Sequence, residues 1–353
     1  MKRACTFLLL LILVTYAKEG YEKITIEAPV KCAEAGSLSD VAEEVIAIPL
    51  ETNNRCLLKH AKLVKRDGNN IFLISKRQLY HFDRSGKFIN QITFCEVEHE
   101  NKILVSDYVI NPVRQQLIVI DEEQNVHYYT YDGHLIGKLN IQKNRSWTAI
   151  NHLSYYNNHL WVTAERIVKH SEEGDRQCLE QWLYKLDTTF NEVEARKLTS
   201  AELGRFTLGR NFSPEIAVAN KNVYVQSPSM QPDLLLRDTL YLINQNKLDI
   251  TSTYASILPV RLSGRFLIST YYNPHSTENN YIFCFDQEKD KAYNVKDGFD
   301  DNFYGTGKVA DLQAMDVHSQ SYCYSKTGKE AQMAFPDRKE TDNPVLFIVK
   351  LKA

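Results

Sequence analysis

The sequence predicts an all-β fold made of six four-stranded antiparallel units, and three observations carry that expectation. First, the stretch QLYHFDRSGKFINQIT, residues 78–93, joins two apolar alternations through an Asp-x-x-Gly turn, and looser versions of it recur at intervals of about fifty residues, the spacing of a repeat architecture. Second, a short β-branched or aromatic run stands before each recurrence: NNIFLIS, QQLIVID, NHLWVTA, KNVYVQS, GRFLIST and QSYCYSK. Third, EVIAIPLE at residues 44–51 is a strand with no local partner, and the last unit runs out of chain after PVLFIVKL, one strand short.

Taken in order, residues 1–17 (MKRACTFLLLLILVTYA) read as a secretory signal peptide: Lys2 and Arg3, an apolar run too short to span a bilayer, then Thr15 and Ala17 at the small-residue cleavage positions. Residues 18–43 form an N-terminal extension, and residues 44–353 hold the repeats. A lipid anchor requires a Cys directly after the apolar run; Cys5 precedes the run and Cys32 lies well beyond it, so the expectation is an exported chain without a lipid anchor or a transmembrane segment. Of the remaining thiols, Cys284 in YIFCFD and Cys323 in SYCYS sit in strand-like runs and read as buried free thiols. The absence of any C-x-x-C pair argues against a zinc ribbon or a redox pair.

Within each unit the turn after the third strand is the clearest anchor, at Asp83 and Gly86, Asp132 and Gly133, Asp187, Asn244 and Asn246, and Asp286. These residue types tolerate positive φ or bond their own backbone. Before each second strand comes one more: HAKLVKR, SDYVINP, INHLSYY, PEIAVAN, ILPVRLS and DLQAMDV. Four short strands per repeat are the signature of a β-propeller blade, because one small sheet cannot cover both of its own apolar faces and must stack on its neighbours. EVIAIPLE then supplies the missing outer strand of the sixth blade and closes the ring. The IPLE strand, NNIFLIS, LYHFDRSGKFINQI and YDGHLIGKL resemble the secreted six-bladed propellers of Bacteroidetes, relatives of the NHL-type propellers. That resemblance, from about Val45 to Leu351, implies an exported six-bladed propeller; many such relatives are lipoproteins, and this chain departs from them in its cysteines.

The composition excludes some functions. A chain of 353 residues with 43% hydrophobic and 24% charged residues and a net charge of −2 has no basic excess for general nucleic-acid binding. The tempting motifs also fail. YGTGKVAD has Asn302 where a phosphate-binding loop needs Gly and Val309 where it needs Ser or Thr, and DGFDDN has Lys308 where a calcium loop ends on Glu. EVEHE at residues 96–100 reads as a solvated loop.

Long connections, by contrast, fall at alternate positions in the strand order: ERIVKHSEEGDRQCLEQ, SPSMQPDLLLRD, TYYNPHSTENN and KTGKEAQMAFPDRKETDN. A propeller maps them to one face, where they wall a pocket over the central channel. The first strand of each unit lines that channel, with Arg66, Asp107, Asn111, His152, Glu215, Arg261, Asp311 and Asp316 as its polar members. The candidate ligand-binding set is Arg261, His152, Glu215, Asp107 and Asp311, with Tyr271 and Tyr272 at the rim of the fifth unit. A mixed-charge lining suits a polar small molecule, a glycan or a peptide, bound by a monomer without a cofactor. The alternative is a lactonase-like hydrolase or lyase whose carboxylates and imidazole gather a divalent metal at the channel mouth.

Overall fold

The structure, a computed structural model, describes residues 22–25, 36–92, 103–141, 147–170, 176–202, 214–219, 222–230, 236–244, 247–256, 261–263, 265–272, 280–289, 291–316 and 321–353. The expected signal peptide and most of the N-terminal extension lie outside the described residues, as do Cys32, Cys95 and the EVEHE segment.

Strands dominate. β1 (Glu22–Thr25) and β2 (Ala42–Pro49) come first. The first sheet is β3 (Lys62–Asp67), β4 (Asn70–Ser75), β5 (Gln78–Asp83) and β6 (Phe88–Gln91); the second is β7 (Val105–Asn111), β8 (Gln116–Asp121), β9 (Asn125–Thr130) and β10 (Leu135–Asn140). The third is β11 (Ala149–Tyr156), β12 (His159–His170), β13 (Arg176–Leu186) and β14 (Glu192–Glu202). The fourth, β15 (Glu215–Ala219), β16 (Asn222–Met230), β17 (Leu236–Asn244) and β18 (Lys247–Ser256), takes β1 as a fifth, parallel strand on β18. The fifth is β19 (Arg261–Ser263), β20 (Phe266–Tyr272), β21 (Asn280–Asp286) and β22 (Lys291–Lys296). After the small hairpin of β23 (Phe299–Asp300) and β24 (Lys308–Val309), the sixth sheet runs β25 (Gln313–Ala314), β26 (Ser321–Lys326) and β27 (Val345–Leu351), with helix α1 (Gly328–Ala334) between its last two strands. Its fourth strand is β2, paired antiparallel with β27 from Ala42↔Leu351 to Pro49↔Val345. Within the six sheets every pairing is antiparallel except that of β1.

The middle strands are apolar at consecutive positions because both of their faces are buried. In β4, Ile71 and Leu73 pack with the sixth sheet while Phe72 and Ile74 pack with the second. In β8, Leu117 and Val119 join the core shared with the first sheet, Ile118 and Ile120 the core shared with the third. β27 divides likewise: Val345, Phe347, Val349 and Leu351 face the fifth sheet, Leu346 and Ile348 the first. Period-2 alternation thus deals successive side chains to two neighbouring sheets. Trp161 and Leu183 extend the series by packing on Ile216 and Val225 of the fourth sheet, and β15 lies against β19 of the fifth.

The turn after the third strand has one construction in three sheets. Asp83 accepts from the backbone N–H groups of Ser85 and Lys87 at 2.8 and 3.0 Å, and Asp187 accepts from those of Thr189 and Asn191, both at 2.8 Å. In the second sheet the equivalent acceptor is Thr130, whose Oγ1 takes the His134 N–H at 3.1 Å, and not the Asp132 expected from the sequence. Gly86, Gly133 and Phe190 occupy the matching left-handed position at φ 88°, 86° and 66°. Phe190, a bulky residue with no steric licence for that region, is held there by burial in the core between the second and third sheets.

Two expectations about loops change. ERIVKHSEEGDRQCLEQ and SPSMQPDLLLRD are largely hairpin strand, because β12 pairs β13 from Leu160↔Leu186 out to His170↔Arg176 and β16 pairs β17 from Tyr224↔Leu242 out to Met230↔Leu236.

Gly86 also lies against the end of β2: a Cβ on it would stand 2.2 Å from the Pro49 carbonyl oxygen, whereas nothing lies within 4 Å of one on Gly68. Gly86→Ala is therefore expected to cost about 1–3 kcal/mol through overpacking on top of its positive φ. Gly68→Ala should cost less, and urea unfolding midpoints of the two variants test the difference.

Candidate functional site

The first strands β3, β7 and β11 lie side by side and each carries a bulge. Lys62 pairs with Ile74 but Lys65 with Phe72; Val105 pairs with Asp121 but Asp107 with Ile120; Ile150 pairs with Ala164 but His152 with Thr163. One extra residue in each strand turns the side chain that follows it, which is what bulges do near sites. Those three side chains meet.

Asp107 is the centre of the cluster. Its Oδ1 accepts the Tyr108 N–H at 2.7 Å and stands 3.8 Å from Lys65 Nζ, while its Oδ2 accepts the Leu153 N–H of β11 at 3.0 Å and lies 3.7 Å from His152 Nδ1. Lys65 in turn donates to the Tyr108 carbonyl and sits 5.0 Å from the centre of the Tyr108 ring. The buried Tyr108 hydroxyl reaches the Leu63 and Phe72 carbonyls at 2.7 and 2.8 Å, pinning the bulge of β3, where Leu63 has φ 46°. His152 Nε2 is 3.1 Å from Ser154 Oγ. Burial pulls the Lys65 ammonium below its ordinary value, and the carboxylates of Asp107 and Asp316 offset this only in part. The side chains of Lys65 and Asp107 are 15% and 12% exposed, that of His152 32%, so the imidazole is the member open to solvent.

Of the residues expected from the sequence, Asp107 and His152 are brought together. Asp311 is exposed and accepts from Gln313 Nε2 at 2.7 Å. Arg66 points outward, its Nε donating to the Gly68 carbonyl at 3.0 Å, and Asn111 serves its own turn by accepting the Arg114 N–H at 3.3 Å. Glu215 opens β15 opposite Gln226, and Arg261 opens β19 opposite Ile268; their side chains lie outside what is described. Tyr271 and Tyr272, expected at the start of a loop, are the last two residues of β20, paired with Tyr281 and Asn280. Sequence reading missed Lys65 and Ser154. Arg66 was named from β3 and its neighbour Lys65 was not, and the bulge in β3 is what brings Lys65 to Asp107.

Other titrating groups serve the scaffold. Asp286 is fully buried and doubly bonded to Arg265, Nε to Oδ1 at 2.7 Å and Nη2 to Oδ2 at 2.6 Å, and that pairing draws its carboxyl below the usual carboxylate range. Burial pushes the Cys56 and Cys284 thiols up to about 12 and that of Cys323 higher, so all three are inert, free and buried. DGFDDN and YGTGK together form the β23–β24 hairpin, tied by Asp301, which accepts from the Phe303 and Tyr304 N–H groups at 3.1 and 3.0 Å. Among the described residues no three His, Cys, Asp or Glu side chains are grouped to hold a metal ion, and no helix is long and apolar enough to cross a membrane.

Residues 21–256 match the model of a family described as a domain of unknown function, DUF4934. The chain belongs to that family. Among solved structures it is similar to a Bacteroides fragilis protein assigned as exported, with TM-score 0.63 and 17% identity over 94% of this chain and 100% of that one, a likeness of fold. More distant is the β-propeller domain of Cps50 (Swd1) from Myceliophteria thermophila, with TM-score 0.45 and 8% identity over 87% of this chain and 100% of that one. No curated protein matches.

Asp107→Ala should be strongly destabilising, by about 2–4 kcal/mol, because it leaves the Lys65 ammonium buried without its counter-charge and frees the Leu153 N–H. Chemical denaturation checks this, and adding Lys65→Met should recover part of the loss. For Asp286 the sign is fixed by a folded-state pKa below the unfolded one. Its contribution is present above the unfolded value and is lost as pH falls through the folded value, that is, below about pH 4. Asp286→Asn should accordingly lower stability at neutral pH and flatten the acid limb of the stability curve, measured by thermal melts between pH 3 and 7.

Proposed function

We propose that this is an exported six-bladed β-propeller, its ring closed by β2, that binds a hydroxyl-rich ligand, a glycan fragment, at the channel mouth beside His152. The ring reading is supported by the cores shared between successive sheets and by β25 lying against β3, β3 against β7 and β7 against β11. Pairing of β2 with β27 completes the sixth sheet with a strand from the other end of the chain. Export is supported by the charged and apolar start of the sequence and by the similarity of fold to a protein whose name describes it as exported.

The carrying observation for the ligand is that the Lys65 ammonium is spent on Asp107 and on the Tyr108 carbonyl, while the half-open His152 imidazole remains accessible. With Asp311 and Asp316 flanking β25, the neighbouring first strand, the groups nearest the imidazole side of the proposed mouth are an imidazole and carboxylates. Such a set accepts hydrogen bonds from ligand hydroxyls, and its carboxylates, with Glu215, outnumber the Arg261 guanidinium that the proposed wall adds. Glu215, Arg261, Tyr271 and Tyr272 stand on the neighbouring fourth and fifth sheets and belong to the same proposed wall. Tyrosines there would offer flat apolar surface with a polar tip to a sugar ring.

A thermal-shift screen of neutral oligosaccharides, short peptides and simple anions tests the assignment. A saturating ligand at one hundred times its Kd should stabilise by about 2.7 kcal/mol. The expected result is a shift with neutral oligosaccharides, none with anions, and loss of the shift in His152→Ala at unchanged unliganded stability. A sugar shift that persists in His152→Ala and in Asp311→Asn would place binding elsewhere, and a shift with anions alone would overturn the ligand class.

A further inference from the structure

The chain is balanced in charge overall, with 42 Lys and Arg against 44 Asp and Glu, but not locally. From Thr52 to Arg66 it holds Arg55, Lys59, Lys62, Lys65 and Arg66, with His60, and no carboxylate; Lys76 and Arg77 follow in the turn between β4 and β5. Four of these cations are engaged. Lys65 faces Asp107 in the bulged cluster, Arg66 bonds the Gly68 carbonyl, Arg55 lies 5.7 Å from the centre of the Phe88 ring, and Arg77 pairs with Glu122 at 2.8 Å. Lys59, Lys62 and Lys76 are exposed, and among the described residues no carboxylate pairs with any of them.

These three lysines stand together at one end of the first sheet. The Lys59 N–H donates to Ser75 Oγ at 3.2 Å, Lys62 pairs with Ile74, and Lys76 Nζ reaches back to the Leu57 carbonyl at 3.4 Å. Leu57 lies among them and is 54% exposed. Its exposure is built in. Cys56, fully buried, has its carbonyl bonded to Asn343 Nδ2 at 2.8 Å; the Leu58 N–H donates to Asn343 Oδ1 at 2.8 Å, and its side chain packs on the core shared by the first and sixth sheets. Neighbours pinned on both sides hold the leucine outward. In the second sheet the equivalent turn carries Glu122 and Glu123, so the cationic character is confined to the first sheet.

We propose that this patch, Leu57 flanked by Lys59, Lys62 and Lys76, is a docking surface for an anionic lipid bilayer. Exposed, screened lysines gain little from a single small anion. A charged lipid surface meets all three at once, and each lysine near it is worth about fivefold in partitioning. The exposed leucine selects lipid over a soluble polyanion, because an apolar side chain set among cations can enter the boundary between headgroups and acyl chains. The attachment is peripheral and reversible, and it sets the first sheet against the lipid.

The test is co-sedimentation of the full chain with vesicles of phosphatidylglycerol and phosphatidylcholine in equal parts, set against vesicles of phosphatidylcholine alone. The chain should bind the first and not the second, and salt at about 1 M, where the Debye length is about 3 Å, should release it. Replacing Lys59, Lys62 and Lys76 together by Gln should weaken partitioning about a hundredfold, whereas Arg at the same three positions should preserve it. Leu57→Ser should weaken it about fivefold or more. All four side chains are exposed, so equal melting temperatures of variants and wild type separate lost docking from lost fold. No binding to the anionic vesicles, equal binding to phosphatidylcholine alone, or binding unchanged in the triple Gln variant would each overturn the proposal. Binding that ignores Leu57→Ser and is matched by soluble polyglutamate would assign the patch to an acidic polypeptide and overturn the lipid reading. The His152-dependent oligosaccharide shift should be the same in the triple Gln variant, which separates this surface from the ligand site.

Discussion

The structure depends on a constraint that no single sheet can meet: each middle strand has two apolar faces, and a four-stranded sheet leaves both uncovered. Ile71 and Phe72 are adjacent in sequence yet belong to different cores, as do Leu117 and Ile118 and Leu346 and Phe347. The first, second and sixth sheets are accordingly each packed between two others. At about 25 cal/mol per Å² of apolar surface removed from water, exposing one face of one sheet would be a severe loss for a domain of ordinary stability. The pairing of Ala42–Pro49 with Val345–Leu351 answers that constraint at the two ends of the repeat. It joins residues some three hundred positions apart, so its loop-closure entropy is large, yet that entropy grows only logarithmically with chain length. Asn343 and Arg338 reinforce the joint, bonding the Glu51 and Leu50 carbonyls respectively.

Much of this was legible in the sequence because it rests on local rules. Consecutive apolar residues bounded by turn residues mark strands buried on both faces, and that pattern located nearly every middle strand. The missing fourth strand of the last unit and the partnerless EVIAIPLE were visible as a mismatch in strand count, and β2 does pair with β27. The turn residues were legible by the same logic at Asp83 and Asp187, where a carboxylate stands in for backbone acceptors.

What could not be read is set by single-residue offsets and by residues whose chemistry suits two structures. A bulge changes which side chain faces inward without leaving a reliable mark in composition, so Lys65 went unnamed beside Arg66. Thr130 does the work expected of Asp132 because the turn needs an acceptor at its first position, and a hydroxyl serves as well as a carboxylate. The charged stretch from Glu165 to Gln181 read as loop, since charged residues suit a two-stranded ribbon as well as a coil. Tyr271 and Tyr272, read as opening a loop, are the last two residues of a paired strand.

The bulged cluster shows how scaffold and site share the same atoms. Asp107 accepts a backbone N–H from β11 and faces an ammonium from β3, so it ties three neighbouring strands at once. A buried carboxylate with these partners costs desolvation that only full satisfaction repays. Lys65 and the two backbone donors provide it, and the ion pair is thereby consumed structurally. His152 is different. It touches the same carboxylate but stays a third exposed, with Ser154 on its far nitrogen. A ligand that engages the imidazole would therefore be felt through Asp107 by all three strands. Under the proposed function, recognition at the first strands and registration of the sheets against one another become properties of one hydrogen-bonded group.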